Sequence, residues 1–202
     1  TSFFNNFATA RKKRNQIRKL LGGDGVLRED DESMGILIAD YLKLLFTAEV
    51  VVPNVDVLNK VRTKVADYMN ESLLAAYMLE EVKKALFNMD SNRAPDPDNI
   101  PAEFYKHCWD FAKSGIMRLF HAFHNNTLDV ARLNYGVITL IPKMNGAKKI
   151  QQYRPICLLR CPYKLITKVM DNRVAIFADK LISKHQNAFI KHRNIMDGIL
   201  TP

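Results

Sequence analysis

One change of pattern constrains this chain more than any other. Apolar residues mostly recur at helical spacing, but Tyr135-Gly136-Val137-Ile138-Thr139-Leu140-Ile141 is an apolar, β-branched run ended by Pro142. Branched side chains favour extended backbone, and a proline cannot donate into a ladder. The run predicts a buried strand. A polar loop with Asn145-Gly146 follows, then a second short strand around Tyr153–Leu158, so a β-hairpin is expected. Helical patterns flank it on both sides. The expected fold is therefore α+β, mostly helical, with one hairpin.

The helices read as follows. Residues 3–20 suggest a basic amphipathic helix stopped by Gly22-Gly23-Asp24-Gly25. Residues 31–46 predict a second helix, with Met34, Leu37, Ile38, Tyr41, Leu42 and Leu45 apolar. Pro53 breaks the next stretch, and short helices are expected up to 76. Over 78–89, Leu79, Val82, Leu86 and Met89 form one stripe, and acids precede bases as the helix dipole favours. Met78 stands where a capping Ser or Thr is usual, a loss of about 1 kcal/mol. The prolines, aspartates and asparagines of Ser91–Asn99 predict a loop. Pro101 suits the first turn of a helix through about 113, and another is expected over 115–125. Beyond the hairpin, 162–183 read as one long helix, with Ile166, Val169, Met170, Val174, Phe177 and Leu181 on one side.

Charge placement bears on function. The 202 residues carry a net charge of +9, and Lys143–Arg193 alone hold twelve Lys/Arg against Asp171 and Asp179. A second cluster, Arg11-Lys12-Lys13-Arg14, opens the chain. Localised cations suit a polyanion, because neutralising phosphates releases counterions. Three cysteines point to a reducing interior, nuclear or cytoplasmic. No signal peptide is visible, so the chain is not expected to be secreted. No apolar run approaches the roughly 18 residues of a membrane span, and no membrane partner is expected.

The ordered motifs add more. Val137-Ile138-Thr139-Leu140-Ile141-Pro142-Lys143, then Tyr153-Arg154-Pro155-Ile156, Leu158-Leu159 and Tyr163-Lys164-Leu165-Ile166-Thr167-Lys168-Val169 resemble the fingers of LINE-type (non-LTR) retrotransposon reverse transcriptases. Asn172-Arg173, Leu181-Ile182-Ser183, Gln186-Asn187-Ala188-Phe189 and Arg193 continue the resemblance. Upstream, Ala94-Pro95-Asp96-Pro97-Asp98 is similar to that family's Ala-Pro-Gly-Pro-Asp-Gly loop, with Glu81-Val82 before it and Phe104-Tyr105 after it. Phe3-Phe4, Arg11, Asn15 and Ile17 resemble the segment ahead of the polymerase.

The resemblance implies an incomplete domain: fingers, and the edge of the palm, of a right-hand polymerase over 77–202, behind a helical segment at 1–76. It implies an RNA template, a DNA primer and a nucleoside triphosphate as partners, with Mg²⁺ as cofactor of the complete enzyme. Lys143 and Arg154 fall where the family grips the nucleotide's phosphates, chemistry that cations serve. Gln186, Phe189 and Arg193 fall along the path of template and primer. Arg11, Lys12, Lys13 and Arg14 resemble an extension that holds template RNA. The family's metal-holding aspartates would lie beyond Pro202, so this fragment is expected to bind no metal and to be inactive alone. A retained RNA-binding module and a helical protein-interaction domain are the alternatives.

Several residues invite other chemistry. Phe177-Ala178-Asp179-Lys180 imitates an aromatic-x-Asp-Asp turn but lacks the second aspartate and is expected mid-helix. Asp96 and Asp98 suit a turn better than a cation site. Cys108, His121 and His124 lack the Cys-Cys half of a zinc finger and read as helix packing, and Cys157 and Cys161 have no second pair. The sequence departs from the family where Asp96, Asn99 and Ala188 replace glycines and Lys191-His192 replace Pro-Gly. Asn tolerates positive φ better than Asp does.

Overall fold

The computed structural model describes residues 15–48, 55–60, 63–90 and 98–183, with 185, 186, 188, 190, 193, 194 and 196. The chain divides into two compact units, Thr1–Pro53 with Ile138–Cys157 and Asn54–Val137 with Leu158–Pro202. The described architecture is α+β and mostly helical.

In the first unit, β1 (Leu20–Leu21) pairs antiparallel with β2 (Leu27–Arg28), Leu20 opposite Arg28 and Leu21 opposite Leu27. This shortens the helix expected over 3–20 at its far end: Asn15 is helical, and 3–14 lie outside the described residues. Residues 16–19 are irregular, and Leu20 enters a strand. Tertiary contact overrides the helical spacing. Leu20 is fully buried, and the Leu21 amide donates to the Lys148 carbonyl at 2.7 Å. The glycine run still stops the element, as a hairpin turn. Gly25 takes φ 77°, and the Asp24 carboxylate accepts from the Val26 amide and both Arg28 terminal nitrogens. Those Arg28 bonds, first among its causes, hold the Asp24 carboxyl down at about 2.

Helix α1 spans Asp31–Phe46, the range read from its periodicity, and Asp30 caps it through the Ser33 amide at 2.8 Å. Met34 from α1, Leu20 and Tyr153 form this unit's core, with Ile17, Leu37, Ile38, Leu140 and Ala147 around it.

The hairpin forms where expected, from β3 (Gly136–Pro142) and β4 (Tyr153–Leu159). Its burial does not match the expectation. Val137, Ile138 and Ile141 are about two-fifths exposed, at 42%, 38% and 37%. A two-stranded sheet has two faces, and Leu140 is the β3 residue packed into this unit's core.

The second unit contains α2 (Val55–Lys60), α3 (Asp67–Leu74), α4 (Leu79–Phe87), α5 (Ala102–His107), α6 (Trp109–His124), α7 (Val130–Leu133), α8 (Cys161–Ala175) and α9 (Ala178–Leu181). Its core joins Val82, Ala85 and Leu86 of α4 to Ala102, Trp109, Ile116, Phe120, Cys161, Leu165, Ile166 and Val169. The α4 stripe is rotated slightly from the expectation: Ala85 is buried, and Leu79 is 38% exposed. Met78 indeed gives no side-chain cap, but its amide donates to Glu81 Oε1 at 2.9 Å.

Two expected boundaries move. The helix expected through 113 breaks at Cys108, and α6 runs on through Ser114-Gly115. A mid-helix glycine costs about 1 kcal/mol. Burial of Trp109, Ile116 and Phe120 on either side offsets that. The long helix expected over 162–183 divides at Ile176-Phe177. Phe177 is buried, as its stripe implied, and meets Tyr68 edge-on at 6.1 Å. Asp179 therefore follows a helix break rather than sitting mid-helix.

One side chain ties α8 to α4 and the segment before it. Arg173 donates from Nε to Glu81 at 3.0 Å and from Nη2 to the other Glu81 oxygen. It also reaches the carbonyls of Leu73, Ala75 and Ala76 at 3.0, 2.6 and 3.1 Å, and its guanidinium lies 4.2 Å from the Tyr77 ring centre. Burial pushes the Glu81 carboxyl up, but the hydrogen bonds from Arg173 and the Met78 amide outweigh it, leaving Glu81 below its ordinary value. Arg173 is raised by the same pair.

Candidate nucleic-acid interface

The loop end of the hairpin is built from both chain segments of the first unit. Leu140 and Tyr153 turn inward to the core. Side chains alternate along a strand, so Ile141 and Arg154 take the opposite face, and Lys143 follows Ile141 by two residues. Pro155 restricts Arg154 to extended backbone, which keeps that alternation regular. The Lys143 amide donates to the Gln152 carbonyl at 2.8 Å, and Arg154 lies two residues past that bond. Diagonal neighbours of this kind are roughly 7–8 Å apart. The two cations therefore share one exposed face, near its loop end.

Their states differ. The Lys143 ammonium folds back to donate to the Gln151 carbonyl at 2.7 Å. Arg154 is exposed and has no hydrogen-bond or ion-pair partner among the described residues. It offers a free fork of donors that matches two phosphate oxygens. Lys148 and Lys149 add charge at the loop.

The remaining site expectations fall elsewhere. Gln186 and Arg193 belong to the second unit, and their polar groups are engaged within the chain. Arg193 donates to the carbonyls of Ser183 and Gln186 at 2.6 and 2.8 Å and to Asp179 at 2.9 Å. The Gln186 amide donates to the Ala188 carbonyl at 3.3 Å. Arg193 thus organises the turn that follows α9. Phe189 and Arg11, Lys12, Lys13 and Arg14 lie outside the described residues.

The residues that imitate metal ligands have other partners. Asp179 pairs with Arg193. Asp98 accepts from the Ile100 amide at 3.0 Å, the turn role expected of it, and Asn99 takes φ 56°, a conformation that Asn tolerates. Asp96 is outside the described residues. His124 lies edge-on to Tyr77 at 5.9 Å, and none of Cys108, Cys157 and Cys161 forms a disulfide. Among the described residues no group of three His, Cys, Asp or Glu could hold a metal ion. Nor is any helix among the described residues long and apolar enough to cross a membrane.

Sequence reasoning passed over two features. The Arg173–Glu81 tie joins residues 92 apart, a partnership no local spacing reveals. The second is a cleft against the hairpin loop, lined by Arg18, Lys19 and Lys148. Its signal was the basic character of the opening segment, read there as one face of a helix.

No family model matches the chain. The chain is similar to a transposon protein. That relative, the Transposon TX1 uncharacterized 149 kDa protein of Xenopus laevis, is 27% identical over 197 residues. The match covers 96% of this chain and 15% of the relative's length. At that coverage the hairpin and both its cations lie inside the match.

Proposed function

We propose that the chain is part of a non-LTR retrotransposon reverse transcriptase, and that the outer face of its hairpin binds nucleic-acid and nucleotide phosphates. The observation that carries this reading is Arg154, a guanidinium with no partner among the described residues, sharing an exposed face with Lys143. The dense cationic stretch around it and the likeness to a transposon protein support the same reading. Lys143 would exchange its bond to Gln151 for a phosphate oxygen, and Arg154 would grip bidentately. In the complete family enzyme this grip would steady template and incoming nucleotide beside a palm that supplies Mg²⁺ chemistry. Within this chain the activity supported is binding.

The test is anisotropy of a labelled single-stranded RNA across a salt series. Wild-type affinity should fall steeply with salt and show little sequence preference. Lys143→Ala and Arg154→Ala should each weaken binding and reduce the salt slope by about 1. Unchanged affinity and slope in the double variant would remove the hairpin from the interface. Binding that ignores salt would favour a protein-interaction surface instead.

A further inference from the structure

The hairpin's inner side carries a cleft distinct from the outward Lys143–Arg154 face. It has a volume of about 240 Å³ and lies between the Gln16–Lys19 segment and the loop residues Pro142–Lys148. Arg18, Lys19 and Lys148 line it, and no carboxylate does among the described residues. Lys19 is shared with Glu29 at 3.9 Å. Neither the Arg18 guanidinium nor the Lys148 ammonium has a partner among the described residues.

Lys148 is held unusually well for a loop lysine. Its amide donates to Gln152 Oε1 at 2.8 Å, and its carbonyl accepts from the Leu21 amide at 2.7 Å. The wall beside it is equally fixed. Tyr153 is 6% exposed, and its hydroxyl donates to the Ala147 carbonyl at 2.9 Å. A cation on an immobilised backbone binds without the cost of ordering the loop that carries it.

We infer that this cleft binds the phosphomonoester of a nucleotide. Two uncommitted cations match a phosphomonoester, which carries about −1.5 to −2 near neutral pH, better than a singly charged diester. The volume corresponds to roughly eight waters at about 30 Å³ each, more than a phosphate group needs. The excess, bounded by Pro142, Met144 and Tyr153, takes the attached sugar and base. The source of the phosphate is either a free nucleotide or the 5′ end of a strand. The strand-end case rests on the nucleic-acid-binding reading above, and the free-nucleotide case stands without it.

The experiment is an amide NMR titration of the full chain with adenosine 5′-monophosphate, adenosine and inorganic phosphate. Saturable shifts at the Gly146 and Lys148 amides are expected with the monophosphate, and tenfold weaker ones or none with adenosine. The Arg18→Ala/Lys148→Ala variant should lose at least tenfold in affinity while its spectrum keeps the Leu20 and Tyr153 signals of a folded unit. Binding should also weaken below about pH 6, where the monoester gives up its second charge. A parallel arm compares one short RNA with a 5′-phosphate or a 5′-hydroxyl. A preference for the phosphate that falls to about one in the variant identifies a strand end. Equal binding of the two RNAs, with monophosphate shifts intact, identifies a free nucleotide. Absence of monophosphate shifts at Gly146 and Lys148 overturns the inference, as does unchanged affinity in the folded variant. Failure of wild-type chain to bind either RNA counts against the outer-face reading and leaves the monophosphate titration to decide the cleft.

Discussion

Replacing Arg173 with alanine removes a side chain that ties α8 to both α4 and the Leu73–Ala76 segment. It deletes two bonds to Glu81, three to backbone carbonyls and the stack on Tyr77. Removing one partner of a fully buried ion pair costs about 3–5 kcal/mol, and hydrogen bonds to charged groups contribute about 1.5–3 each. Here the Arg173 and Glu81 side chains are 12% and 30% exposed, so water can reach part of what is left unpaired. The expected loss is therefore about 2–4 kcal/mol. Trp109 is the chain's single tryptophan, 7% exposed in the core that α4 and α8 share, so its fluorescence in urea reports this unit. With a mid-range urea slope of about 2 kcal/mol/M, the midpoint should drop by roughly 1–2 M. Arg173→Lys should recover less than half, because an ammonium cannot span a carboxylate and three carbonyls. The pH dependence has a definite sign. Glu81 sits below its ordinary 4.5 when folded, so the pair's stabilisation is present above that value and lost as pH falls through the lower folded one. The penalty of Arg173→Ala should shrink in the same window. A midpoint change worth less than about 0.5 kcal/mol, or a penalty that grows in acid, refutes the reasoning.

Three further outcomes are expected. Leu86→Ala should destabilise the same unit by about 2–5 kcal/mol in the Trp109 assay, since Leu86 is fully buried; under 1 would contradict its place in the core. Gly146→Ala should cost about 1 kcal/mol through its φ of 72° alone, with nothing within 4 Å of the added methyl, read as faster amide exchange in the hairpin loop. Arg193→Ala should release the carbonyls of Ser183 and Gln186 and speed amide exchange over the turn after α9 by roughly tenfold; unchanged exchange would show that the turn holds itself.

Much of this was legible locally. Helix α1 matched because Asp30, the acidic first turn and the apolar spacing agree within one segment. The hairpin was legible from β-branching, Pro142 and Asn145-Gly146. Its exposure was not, because an apolar run does not say how many of its faces find a neighbour. Basic spacing over 3–20 read as helix, yet Leu20-Leu21 gained more by pairing with Leu27-Arg28 and meeting Lys148, a partner well over a hundred residues away. At the candidate site, Lys143 and Arg154 were recognisable as residues. Their shared face became visible only once Leu140 and Tyr153 were known to point inward.

What the sequence determined by itself is whatever depends on neighbours within a turn or two: caps, turns, strand chemistry and the concentration of positive charge. Tertiary structure decided which charges remain available. Arg173 and Arg193 look no less cationic than Arg154 in the sequence. The fold commits their guanidinium donors to Glu81, Asp179 and backbone carbonyls, while those of Arg154 meet no partner among the described residues. The reason is physical: a donor's availability depends on which distant acceptors folding brings within hydrogen-bond reach.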